Sequence, residues 1–142
     1  MIDRGEILAL VPHAGAMCLI DRATSWDADE IHCASGTHRD PENPLRHNGA
    51  LAAVHLIEYA AQAAALHAAL ATASPAAGML ASVRECELDL ERLDLLPRDL
   101  QIHARREAHN VDAVHYSFEV SDEARVLGRG RLMIRLGPAR KA

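Results

Sequence analysis

The spacing of apolar and polar residues changes several times along this chain, and each change predicts a different element. Residues 2–10 place Ile7, Leu8 and Leu10 behind Asp3, a residue suited to capping a helix, so a short helix is expected there. Met17 to Trp26 and Glu30 to His38 then read as strands, with Asp27-Ala28-Asp29 as the turn between them. Residues 39–49 contain two prolines, two asparagines and a glycine, which predicts a loop. Loops of this kind often carry function.

From Ala50 to Thr72 the composition shifts to Ala, Leu, His, Ile, Glu and Gln, with no Gly or Pro. Alanine is the strongest helix former, so the run predicts one long helix, with Asn48 as its cap and Ser74-Pro75 and Gly78 ending it. Its apolar residues run nearly all round, the mark of a buried helix, and its alanines let neighbouring elements come close. After Gly78 the period shortens toward two. Residues 79–88, 100–109, 113–121 and 125–136 read as four strands, with 110–112 and 122–124 as hairpin connections. The order strand, strand, long helix, four strands predicts an α+β domain spanning 1–142, its antiparallel sheet wrapped around the helix. A lone hairpin cannot cover the helix, so the first two strands are expected to join the larger sheet.

Composition narrows the function. Aromatic residues are only 3% of the chain and the formal charge is −5, so neither base stacking nor a phosphate-backbone partner is supported and nucleic acid is not expected. Cys18, Cys33 and Cys86 are odd in number and scattered, which predicts reduced thiols. No apolar run approaches the ~20 residues of a membrane span, and the N-terminus carries acids where a signal peptide needs bases. A cytoplasmic protein with no membrane span is expected.

Two side chains stand out chemically. Glu58 lies in an otherwise apolar helix, where a carboxylate is costly unless paired or used. His13 follows Pro12 just before the first strand, and an imidazole there supplies a base near neutral pH. The structural alternatives are a satisfied polar histidine and a buried acid bonded to backbone. His55 lies one turn before Glu58, but two further metal ligands are not evident, so no metal is expected and His55 reads as structural or pocket-lining. His38 and His47, flanking the loop, are expected to face solvent. Arg105, Arg106, Arg125, Arg129, Arg131 and Arg135 fall at near-alternate strand positions, either an exposed sheet face or a landing patch for an acidic carrier or a coenzyme A phosphate.

The segment Leu10-Val11-Pro12-His13 leading into Met17-Cys18-Leu19-Ile20-Asp21-Arg22, with Ile57-Glu58-Tyr59-Ala60-Ala61-Gln62, resembles the β-hydroxyacyl-(acyl carrier protein) dehydratases. The likeness is nearest the branch associated with aryl-polyene and related pigment pathways. It implies the hotdog fold, a protein that normally works as a dimer with the two active sites at the subunit interface, and no cofactor. By that resemblance His13 matches the catalytic histidine, Glu58 the catalytic acid, and Gln62 the helix glutamine one turn on. Asp21 and Arg22 match a structural pair. The chain departs from the family's pattern at Ala14, Gly15 and Ala16, where a basic and then bulky residues are usual. It also lacks the phenylalanine-proline-glycine entry to the helix, and Gly49 comes nine residues before Glu58.

The implied reaction is loss of water from a 3-hydroxyacyl thioester, linked to acyl carrier protein or CoA, in fatty acid or polyene-type lipid biosynthesis. His13 would act as base and protonated Glu58 as acid, with a backbone N–H near Gly15 or Gly49 polarising the carbonyl and Gln62 beside them in the substrate site. A homodimer or higher homo-oligomer is expected. Two rivals remain open. One is an acyl thioesterase of the same fold, with the helix carboxylate activating water. The other is a catalytically weak subunit that pairs with an active homologue.

Overall fold

The computed structural model describes residues 1–11, 15–72, 78–109 and 112–136. Asp3 caps the first helix, α1 (Arg4–Leu10), as expected; its carboxylate accepts from the Glu6 N–H while the Glu6 side chain bonds back to the Asp3 N–H. Just before it, Ile2–Asp3 forms a two-residue strand, β1, that the polar pattern does not announce. Strands β2 (Arg22–Trp26) and β3 (Glu30–Ser35) form a hairpin whose turn is held by the Asp27 carboxylate, which accepts from the Asp29 and Glu30 N–H groups. The long helix, α2, spans Leu56–Thr72, and β4 (Gly78–Leu88), β5 (Leu100–His109), β6 (Ala113–Ser121) and β7 (Val126–Leu136) follow.

All seven strands join one antiparallel sheet in the order β1-β2-β3-β5-β6-β7-β4, so the N-terminal hairpin does extend the main sheet. Helix α2 packs on one face, against β3, β5, β6, β7 and β4. Strand alternation sends Val114, Tyr116, Phe118 and Val120 of β6, and Leu132 and Ile134 of β7, toward it. Ala60, Ala63, Ala64 and Leu66 are buried around most of the helix circumference, which is why its sequence lacks a polar stripe. Near the helix start, β7 makes room with glycine. A Cβ on Gly128 would lie 2.8 Å from a Leu56 methyl, and one on Gly130 would lie 2.9 Å from the Phe118 ring and 3.1 Å from the Cys86 Cα.

Three expectations are corrected by non-local bonds. The strand expected from Met17 is β2 and begins at Arg22: Gly15–Met17 form a 3-10 turn, and the Leu19 N–H and C=O are taken by side chains instead of a ladder partner. Helix α2 begins at Leu56, after a 3-10 turn over Ala53–His55, and Asn48 is not its cap. Alanine propensity loses there because the chain just before the helix is tied to a distant loop. Leu51 N–H donates to the Asp94 carboxylate (2.8 Å), Ala53 N–H to the Glu91 carbonyl (2.9 Å), and Leu93 N–H to the Leu51 carbonyl (2.8 Å). Asp94 is fit for that role because the Arg92 guanidinium beside it holds its carboxyl well below the usual carboxylate range. Third, His38 is not solvent-facing but fully buried, its Nε2 on the Leu96 carbonyl (3.1 Å); His47 is exposed.

His67 is a second buried imidazole. Its Nε2 reaches the Asp27 carbonyl (2.8 Å), which can only accept, so Nε2 carries the hydrogen and Nδ1 accepts from the Tyr116 hydroxyl (2.7 Å). Burial pushes the pKa of both His38 and His67 below the ordinary histidine value. An unfolded chain therefore binds protons that the folded one refuses, so stability is full above about pH 6.5 and falls as the pH drops below it. Chemical denaturation at pH 7.5 and pH 5.5 is expected to show a loss at the lower pH, reduced in His67→Leu; a flat profile contradicts this. Gly130→Ala is expected to cost about 1–3 kcal/mol by overpacking, measured the same way at pH 7.5.

Candidate active site

The site is assembled around α2. Glu58 lies in its first turn and is half-buried. One turn on, Gln62 is 2% exposed, and both polar atoms of its carboxamide have partners. Its Oε1 accepts from the Leu19 N–H (2.8 Å), while its Nε2 donates to the Met17 carbonyl (2.8 Å) and to Glu58 Oε2 (3.2 Å). The four-residue spacing puts the two side chains on one helix face. Gln62 thus joins the helix carboxylate to the backbone that immediately follows residues 12–14.

That backbone is held from other sides as well. The Leu19 carbonyl accepts from Ser35 Oγ and from Thr37 Oγ1 (2.8 Å), and Thr37 Oγ1 also lies 2.8 Å from the Tyr59 hydroxyl. Asn43 donates to the same phenol oxygen (3.2 Å) and to the Thr37 carbonyl (2.9 Å), tying in the loop before the helix. Burial raises the Tyr59 pKa, so this phenol stays protonated and structural. Arg4 reaches from α1 to the Gly15 carbonyl (3.1 Å) and the Ile20 carbonyl (3.3 Å). The segment around the histidine is thereby bracketed on its C-terminal side by fixed backbone.

His13 itself lies outside the described residues. Gly15 opens the 3-10 turn at φ +57, a left-handed conformation that glycine adopts without strain, and is exposed. Gly49 is also exposed, at φ +78 beside Asn48 at φ +52, in a tight turn closed by two bonds between His47 and Ala50. Asp21 accepts from the Gly36 N–H (2.7 Å), and Arg22 donates to Asp99 (3.2 Å), so this pair joins backbone and loops. Ser35, Thr37, Asn43 and Arg4 had no local signal; each acts on residues far away in the chain. Four of the six strand arginines have partners among the described residues. Arg129 meets Glu87 (3.4 Å), Arg131 meets Glu85 (3.3 Å), Arg105 meets Glu30 (3.6 Å), and Arg125 donates to the Asp89 carbonyl (3.2 Å).

The three cysteines are free thiols, and burial pushes Cys33 up to about 12. Among the described residues no helix is long and apolar enough to cross a membrane.

One long helix on a seven-stranded antiparallel sheet, with β4 placed beyond β7, defines the hotdog class shared by dehydratases and thioesterases. The dehydratase heterocomplex ApeI:P from Xenorhabdus doucetiae is similar over 93% of this chain and 91% of that one, with a TM-score of 0.83 and 22% identity. Zebrafish thioesterase superfamily member 2 is similar over 96% of this chain and 100% of its own, with a TM-score of 0.66 and 12% identity. A hypothetical thioesterase protein from Streptococcus pneumoniae, solved with coenzyme A, is similar over 84% of this chain and 88% of its own, with a TM-score of 0.61 and 10% identity. No curated protein matches significantly. The family model described as ApeP dehydratase matches residues 5–139, and the chain belongs to this ApeP-like dehydratase family.

Replacing Gln62 by Leu keeps the bulk but strands the buried Leu19 N–H and Met17 carbonyl. Each is expected to cost about 1–3 kcal/mol, read by urea denaturation. Unchanged stability in Gln62→Leu contradicts the clamp.

Proposed function

We propose that the protein dehydrates a 3-hydroxyacyl thioester to the trans-2-enoyl thioester, with His13 as base and Glu58 as acid. The single observation that supports this reading is the Gln62 clamp, which couples the helix carboxylate to the chain just beyond the histidine. The family supports the reaction class. In the forward step the C2–H bond breaks and its proton passes to the imidazole while the C2–C3 double bond forms. The C3–O bond breaks as the Glu58 carboxyl gives its proton to the departing hydroxyl, which leaves as water. Transfer of the proton from imidazolium to carboxylate, directly or through solvent, resets the pair. Gln62 is a positioning residue in this scheme, because all its polar atoms already have partners. A backbone N–H near Gly15 or Gly49 is the proposed donor to the thioester carbonyl. The acyl group arrives on acyl carrier protein or CoA, in fatty acid or polyene-type lipid synthesis, and the cytoplasm is the proposed compartment.

The proposed assembly is a pair of subunits, either a homodimer or this chain with a homologous partner. Strand β4 supports it: eleven residues long, it pairs with β7 on one side and forms the edge of the sheet on the other. Such an edge offers a row of backbone groups for another strand. The partner-subunit form is favoured by the similar ApeI:P structure, which is a dehydratase heterocomplex.

The test is to follow enoyl absorbance and free thiol together on a 3-hydroxyacyl thioester. Wild type is expected to form enoyl product, and His13→Ala and Glu58→Gln each to lose at least about a hundredfold in kcat, the scale of acid–base catalysis. Free thiol without enoyl would establish hydrolysis instead. A wild type that is silent alone and active only with a homologous subunit would establish the partner form.

A further inference from the structure

Away from α2, on the outer face of the sheet, three metal-ligating side chains converge. His32 and His103 are direct cross-strand partners on β3 and β5, both interior strands, so their backbones are held on either side by hydrogen-bonded neighbours. Their rings stack with centroids 4.2 Å apart and planes 4° from parallel. Glu30, two residues before His32 and therefore on the same face, brings one oxygen to both. Its Oε1 lies 2.6 Å from His103 Nε2 and 3.7 Å from His32 Nε2. The three ligand atoms all lie within 4.8 Å of one another.

We propose that Glu30, His32 and His103 bind a first-row divalent transition metal, of which Zn2+ is the probe of choice. Two imidazole nitrogens and one carboxylate oxygen are a borderline-soft donor set that suits zinc over calcium or magnesium, which want oxygen alone. Tetrahedral zinc with bonds of about 2.0–2.1 Å sets its ligand atoms roughly 3.3 Å apart. The observed 2.6 and 3.7 Å contacts straddle that value, and turning the stacked rings out of parallel would aim both nitrogens at one ion. The competing charge is Arg105, whose Nη1 is 3.6 Å from the same Glu30 oxygen and yields it to the ion. With three protein ligands and a partly solvent-exposed setting, a fourth position is left for water or a ligand from another molecule.

Equilibrium dialysis of the full chain against Zn2+ at pH 7.5 tests the site. Wild type is expected to hold one ion that His32→Ala, His103→Ala and Glu30→Gln each weaken by at least about tenfold. His13→Ala is expected to keep that ion, separating this site from the proposed catalytic one. Circular dichroism verifies that the variants remain folded, as their partly exposed positions lead one to expect. Equal binding by wild type and His103→Ala, or loss of the ion in His13→Ala, overturns the proposal.

Discussion

The carboxamide of Gln62 is the contact on which the geometry of the candidate site depends. It is buried, it accepts one hydrogen bond and donates two, and all three partners belong to parts of the chain that the site must bring together. Two of them are backbone groups at Met17 and Leu19. The third is the carboxylate of Glu58, one helical turn away. A buried amide whose oxygen and nitrogen are both bonded is held in place, and one that loses a partner leaves polar groups without water. The Leu19 carbonyl, held by Ser35 and Thr37, extends the same constraint to β3 and, through Tyr59 and Asn43, to the loop before the helix.

This constraint requires the helix and sheet to meet closely at one end. Gly128 and Gly130 give β7 a shallow inner surface where Leu56 and Phe118 pack, and the alanines of α2 continue that close approach along its length. Farther along, His67 anchors the helix to the β2–β3 turn and to Tyr116 of β6. The helix is therefore held by polar contacts in both halves, with apolar packing between them. Glu58, in the first turn, therefore sits on a helix that is anchored along its length.

Much of this architecture was legible in the pattern of residues. Alternation in 113–121 and 100–109 located β6 and β5 to the residue, and the Asp3 cap, the Asp27 turn and the long alanine-rich helix were readable because each rests on neighbours a few positions away. The spacing of Glu58 and Gln62 likewise placed both on one helix face. Loop polarity does not predict the burial of His38, because its partner, the Leu96 carbonyl, lies fifty-eight residues on. The strand start at Arg22 and the helix start at Leu56 escape local pattern for a related reason: side chains and loops distant in sequence hold the backbone just before them.

By itself, then, the order of residues determined the kind and sequence of elements and the family likeness, since periodicity, capping and short motifs are local properties. Tertiary structure alone decided which backbone groups Gln62 holds, where the helix begins, and that Glu30, His32 and His103 meet on one patch of sheet. Those outcomes follow from strand register and loop docking. Both are set by the sum of many weak long-range contacts, which no short window of sequence contains.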